Sequence, residues 1–231
     1  MGTQEVRPAF YALRPGGWRD YVTVLHLPYT IWNASYVALG AALAPHFHVD
    51  RWLLATAAFV LALGVSAHAF DELNGRPLRT QIGDGVLWAL AVASLAGALA
   101  IGVYAALEWT RWLLVLVAIG GFVVPAYNLE LFGGRFHNEW WLACAWGGLP
   151  VLSAYLVESG TVRMPAVLAA AFATTMILVQ RTLSTPVRHA RRTLGTTAGV
   201  EPMERALRLL PWANVFLGGA AVVARLTNLG T

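Results

Sequence analysis

Seven apolar runs, each approaching the length of a bilayer-crossing helix, follow one another along the chain with little polar mass between them. They extend approximately over residues 24–44, 52–70, 86–107, 112–126, 140–157, 165–179 and 207–224. An α-helix rises about 1.5 Å per residue, and a bilayer's hydrocarbon core is about 30 Å thick, so about 20 apolar residues reach across it. Within hydrocarbon every backbone polar group must bond inside its own segment, which leaves the helix as the form for such runs. A water-soluble fold would need a polar exterior. Here 58% of residues are hydrophobic and 12% charged, where soluble domains have about 25% charged residues. The expected fold is all-α, a polytopic transmembrane bundle of about seven helices, with residues 1–231 as one integral membrane domain. Trp52, Trp109, Trp112, Trp140 and Trp141 fall at run ends, the depth that indole rings prefer.

The charges say how such a bundle is oriented. All 16 basic residues are Arg, a coding bias of the kind a GC-rich genome imposes, and the expected location is a prokaryotic plasma membrane. Twelve of them fall on one side of the expected spans: Arg7, Arg14, Arg19, Arg76, Arg79, Arg135, Arg181, Arg188, Arg191, Arg192, Arg205 and Arg208. Arg51, Arg111, Arg163 and Arg225 fall on the other. The positive-inside rule then makes the N-terminus and the Arg-rich loops cytoplasmic. The same reading excludes nucleic acid as a partner, despite a net charge of +4, because the Arg residues sit in short connections between spans and not on one soluble face. Residues 1–22 are polar and Arg-bearing. They read as a cytoplasmic or interfacial segment and not as a signal peptide. Residues 184–204 read as a cytoplasmic Arg-rich loop, part of it an amphipathic helix on the membrane surface. The one cysteine, Cys144, excludes a disulfide framework within the chain and is expected to be a buried packing residue.

Ionisable groups at membrane depth are costly and commonly mark function. The second run ends in Ser66-Ala-His68-Ala-Phe-Asp71-Glu72-Leu-Asn74-Gly75-Arg76-Pro77-Leu-Arg79. On a continuing helix His68, Asp71 and Glu72 are spaced i, i+3 and i+4 and share a face. Asp71 and Glu72 are hard oxygen ligands suited to Mg²⁺, and Asn74, Arg76 and Arg79 suit phosphate oxygens. The plainer reading is a solvated helix end with topogenic Arg. After the fourth run, Tyr127, Asn128, Glu130, Gly133, Gly134, Arg135, His137, Asn138 and Glu139 form a second polar cluster on the same side. Its plainer reading is an ordinary loop with turn glycines. A third, Gln180-Arg181 through Arg188, His189, Arg191 and Arg192, reads as lipid-facing anchoring or as an anion clamp. Within the first run His26, Tyr29, Thr30, Asn33 and Tyr36 recur every three or four residues. Such a stripe serves interhelical hydrogen bonding or lines a pocket.

Three of these stretches together resemble the UbiA-type intramembrane prenyltransferases. They are LPYTIWNASYVALGAALA in the first run, the acidic end of the second with its Arg-Pro-Leu, and PAYNLELFGGRFHNEWWLACAWGGLPVL. In that family two Asp-rich cytoplasmic loops hold Mg²⁺ on an isoprenyl diphosphate, and the prenyl group passes to a lipophilic acceptor. This chain is identified as a divergent, shortened member. Aligning Asp71 with the last Asp of the family's first motif puts Ala67 and His68 at its Asn-Asp positions. Gln180 and Arg181 stand where the second motif belongs.

The resemblance implies a membrane-embedded transferase acting on an isoprenyl diphosphate and a lipophilic acceptor, with membrane lipids around it. Asp71, Glu72, Asn128 and Glu130 are the expected catalytic group, with Asp71, Glu72 and Glu130 on Mg²⁺. His26, Asn33, His68, Asn74, Arg76, Arg79, Tyr127 and Arg181 are the expected substrate-binding group. A terpene cyclase, a transition-metal enzyme using His68, Asp71, Glu72, Glu130, His137 and Glu139, and a non-enzymatic isoprenoid- or lipid-binding membrane protein are the alternatives.

Overall fold

The computed structural model describes residues 6–228 as eight helices, with no strand among the described residues. They are α1 (Trp18–Val24), α2 (Leu27–Leu43), α3 (Val49–Leu73), α4 (Asp84–Glu108), α5 (Leu113–Asn128), α6 (Glu139–Ser159), α7 (Met164–Arg192) and α8 (Glu201–Asn228). Helices α3, α4, α6, α7 and α8 are each long and apolar enough to cross a membrane, while α5 is apolar but shorter. Each of the seven apolar runs is therefore a helix of the bundle. The expected N-terminal segment 1–22 lies partly outside the described residues.

Two expectations about element boundaries change. The chain does not enter the first span directly. It forms the short α1, breaks at His26 with a left-handed backbone (φ 45°), and restarts at Leu27 with Pro28 in the first turn, where proline is favoured. The second change concerns residues 184–204, expected as a loop. Helix α7 continues through Pro186 to Arg192, so the connection to α8 is only residues 193–200. Its last turns carry His189, Arg191 and Arg192, which the helix C-terminal dipole favours. The Arg residues therefore ride on a rigid helix.

Contacts at the bundle ends show that α2 to α8 alternate in direction. At one end the start of α3 meets the end of α6, where the His48 backbone N–H and Nδ1 each lie 2.8 Å from Glu158 Oε2. There too Arg51 donates to the Val157 carbonyl, and Arg225 of α8 donates to the Ala42 and Ala44 carbonyls at the end of α2. The other end collects the start of α2 and the ends of α3, α5 and α7. Twelve of the sixteen Arg positions belong to that second end.

Helix α2 runs through the middle, with eleven of its residues buried between α6 and α8. Association in lipid depends on close packing, because lipid tails are as apolar as the helices. A Cβ at Gly40 would come within 2.3 Å of the Val151 carbonyl oxygen of α6, and one at Gly218 within 2.6 Å of that of Ser35. These obstacles are backbone and cannot swing aside. Gly40→Ala is therefore expected to separate α2 from α6 and lower stability by about 1–3 kcal/mol, read as a lower melting temperature in detergent.

Candidate functional site

The Arg-rich end of the bundle encloses a cavity of about 400 Å³. Its wall draws on α2 (His26 at its cap, Tyr29, Trp32, Asn33), α3 (His68, Asp71), the α3–α4 turn (Asn74, Pro77) and the end of α5 (Tyr127, Asn128). Glu130 and His137 come from the α5–α6 turn, Trp146 from α6, and Gln180, Arg181, Arg188, Arg191 and Arg192 from α7. Residues 8–11 of the N-terminal segment close one side. The segment is anchored by Arg191 donating to the Arg7 carbonyl at 3.0 Å and by Arg208 over the Phe10 ring. Among the described residues, five that are not glycine have a left-handed backbone: His26, Arg76, Arg79, Glu130 and Phe132. All belong to this end, and strained backbone of that kind concentrates at functional sites.

Of the expected catalytic group, Asp71, Asn128 and Glu130 line this cavity and Glu72 does not. Successive helix positions turn by about 100°, so Asp71 and Glu72 cannot face the same space. The Glu72 side is closed over by the turn after α3. Its Oε1 accepts from the Thr80 backbone N–H and hydroxyl, each at 2.8 Å, and its Oε2 accepts from the Leu78 N–H at 3.0 Å. The residue is 1% exposed. Glu72 therefore holds the turn and has no oxygen turned to a metal. Arg76 is likewise occupied, donating to the Thr80 carbonyl and pairing with Asp84. Arg79 donates to the Arg192 carbonyl. Neither Arg lines the cavity. The other expected binding residues, His26, Asn33, His68, Asn74, Tyr127 and Arg181, all do.

Arg188 and Arg192, expected as part of a cationic segment that anchors to lipid or clamps an anion, line the cavity beside Arg181, and Tyr11, which the sequence did not single out, joins them. Positions 181, 188 and 192 are spaced i, i+7 and i+11, the period of one helical face. That spacing was legible once the helix is taken past Pro186. Among the described residues Arg181, Arg188 and Arg192 have no hydrogen-bonded or ion-paired partner for their guanidinium groups, and Arg192 Nε is buried and unpaired. Arg191 differs, because it is bound to Glu204 at 2.6–2.7 Å. Asp71 lies within electrostatic reach of Arg188, Arg192 and His137.

Aromatic and imidazole rings complete the wall. Tyr127 stacks on His137 (centroids 4.5 Å apart) and meets Trp146 at 5.1 Å. The Tyr11 hydroxyl lies 3.1 Å from His26 Nδ1. His26 stacks on His68 with centroids 3.8 Å apart and planes 14° from parallel. Tyr11 and His26 lie ahead of α2. Burial, with Tyr29 nearby, raises the Tyr11 hydroxyl well above its ordinary value. Burial, then His68 and the Arg pair, hold the His26 imidazole well below its own. Both are neutral at physiological pH.

Asp71 and Glu130 are the acids in the wall, and among the described residues no three His, Cys, Asp or Glu side chains gather as a protein-only metal site. That donor set fits Mg²⁺, which commonly takes one or two carboxylates and completes its shell with water and substrate phosphates. Comparison with protein-family models, curated proteins and solved structures finds no match to this chain. Fold and cavity define its class as a multi-pass helical membrane protein with an ionised, aromatic-walled chamber at one end.

Proposed function

We propose that the chain is a membrane-embedded transferase, moving a prenyl group from an isoprenyl diphosphate to a lipophilic acceptor. The reading rests on one observation above all. Three guanidiniums, Arg181, Arg188 and Arg192, share a face of α7 beside the cavity, and among the described residues no counter-ion is bound to them. Unneutralised cations at that depth are costly, and an anionic head with several oxygens offsets the cost through charge-assisted hydrogen bonds. The aromatic wall of Tyr29, Trp32, Tyr127 and Trp146 suits an unsaturated chain and the positive charge that develops on it as the diphosphate departs. In the UbiA-type family that the sequence resembles, acidic motifs perform this work through metal. Here the guanidiniums stand in the place of the second motif and stabilise charge on the leaving oxygens directly. Asp71, with Asn74, Asn128 and Glu130 nearby in the wall, would hold a Mg²⁺ ion carried on the substrate, which supplies further Lewis-acid stabilisation. The Arg asymmetry favours a cytoplasmic side for this end, from which a water-soluble diphosphate head would enter while its chain lies toward the bilayer.

The test is direct binding of prenyl diphosphates of several chain lengths to the protein in lipid nanodiscs, followed by measurement of diphosphate release with Mg²⁺. Arg188→Ala is expected to weaken binding by about tenfold to a hundredfold, since a hydrogen bond to a charged group contributes about 1.5–3 kcal/mol. Affinity unchanged in Arg188→Ala, or no binding at any chain length, overturns the reading. Tight binding without release would mark a carrier, and a cyclised hydrocarbon product would mark a cyclase.

A further inference from the structure

We propose that His68 is the base that takes the proton from the acceptor, and that the acceptor presents a hydroxyl as its nucleophile. This rests on the transferase reading above, and it concerns a residue that stands where the related family carries an acid.

His68 directly follows a π-helical segment, Val60–Ala67, within α3. Such wide turns occur often at functional sites. Its Nδ1 lies 3.2 Å from the Gly64 carbonyl oxygen. A carbonyl only accepts, so Nδ1 carries the hydrogen and Nε2 carries the lone pair. No protein group among the described residues bonds Nε2, and it is not among the buried atoms left unpaired. His68 is half-buried and lines the cavity, so the basic nitrogen is open to a ligand. The ring is fixed from both sides. Gly64 brings α2 close, with Thr30 Cγ2 2.7 Å from where a Cβ at Gly64 would stand. That approach lays the His26 ring over the His68 ring, and Tyr11 holds His26 through Nδ1. The arrangement matches that of a general base: a free nitrogen in the cavity, a carbonyl setting the tautomer, and a packed ring setting its plane.

The step balances as follows. The acceptor oxygen gives a lone pair to the prenyl carbon. The bond from that carbon to diphosphate breaks with its electron pair on the leaving oxygen, opposite Arg181, Arg188 and Arg192. The hydroxyl proton passes to His68 Nε2, which becomes imidazolium, and its new positive charge balances the one negative charge that the departing diphosphate gains. The charged and titratable groups that share the cavity with His68 are Tyr11 of the N-terminal segment, His26 and Tyr29 of α2, Asp71 of α3, Tyr127 of α5, Glu130 and His137 of the α5–α6 turn, and Arg181, Arg188, Arg191 and Arg192 of α7. Asp71, one turn along α3, lies within electrostatic reach of the Arg pair and lines the same cavity as His68.

The experiment uses the full chain in nanodiscs, a prenyl diphosphate with Mg²⁺, and two probe acceptors, a para-alkylphenol and a long 1-alkanol. His68→Gln is read by the ratio of prenyl transfer to diphosphate release in the same reaction, so that a change in substrate binding cancels. That ratio is expected to fall by about a hundredfold or more, with the parent's acid limb lost from the pH profile. His68→Phe, which keeps the stacking ring but no nitrogen, is expected to behave the same way. Transfer retained in both variants with an unaltered pH profile overturns the assignment while leaving the transferase reading intact. A parent that releases diphosphate but alkylates neither probe also overturns it. A parent that binds no prenyl diphosphate removes the reading beneath it.

Discussion

Glu72→Ala is expected to unfold the cavity end of the bundle, and with it most of the chain's stability, although Glu72 touches no ligand. The carboxylate is the acceptor for three donors: the Leu78 N–H, the Thr80 N–H and the Thr80 hydroxyl. Leu78 and Thr80 are themselves buried, 3% and 5% exposed, so no water replaces the lost oxygen atoms. Each buried donor left unmet costs about 1–3 kcal/mol. Three lost together cost at least about 3 kcal/mol, a large share of the 5–15 kcal/mol or so that holds a typical domain. The turn matters beyond its own energy, because it carries Asn74 and Pro77 into the cavity wall and leads into α4. Thermal unfolding in detergent reads the loss. Glu72→Gln keeps one carbonyl acceptor and is expected to lie between parent and Ala. A melting temperature for Glu72→Ala equal to the parent's would mean that the three hydrogen bonds contribute nothing net.

Glu72 also shows where the sequence stops being legible. Adjacent Asp71 and Glu72 at the end of an apolar run read as a paired metal site, because both acids are costly at that depth. The helix separates them by about 100°. Which of the two faces the cavity depends on where the α3–α4 turn folds back, and that is a tertiary fact. Arg76 and Arg79 fail for the same reason, since each is drawn into the turn's own bonding. The seven helices, by contrast, are written in hydropathy, because lipid demands it of every span. His26, Tyr29 and Asn33 were legible because a three-and-four spacing within an apolar helix leaves the polar groups one inward face. Arg188 and Arg192 were legible as members of a cationic segment but not as one helical face with Arg181, because Pro186 reads as a break. The helix passes through it, and Pro186 is only partly buried on a wet, amphipathic stretch. Tyr11 had no signal at all. A short polar segment folding back over a cavity has no periodicity to betray it.

Asp71→Asn is expected to give opposite results with and without magnesium, and the contrast separates the parts that metal and Arg play. The carboxylate lines the cavity, accepts no hydrogen bond among the described residues, and lies within electrostatic reach of Arg188 and Arg192, which line the same cavity. Without metal it repels an incoming anion. Two like charges a few ångströms apart interact by about 1–4 kcal/mol, depending on how much water screens them. Metal-free binding of a prenyl diphosphate to Asp71→Asn is therefore expected to tighten at least fivefold or so. With Mg²⁺ the sign reverses for chemistry. The neutral amide is a weak ligand for a hard cation, and release of diphosphate is expected to fall by about a hundredfold or more, because such an ion contributes several kcal/mol to a developing oxyanion. The substitution is isosteric and removes no hydrogen bond, so the melting temperature should stay near the parent's, unlike that of Glu72→Ala. Isothermal titration with and without Mg²⁺, paired with a release assay, reads both arms. Weaker metal-free binding in Asp71→Asn would mean that the carboxylate serves to orient Arg188 and Arg192, and release unaffected by the substitution would take the metal away from this residue.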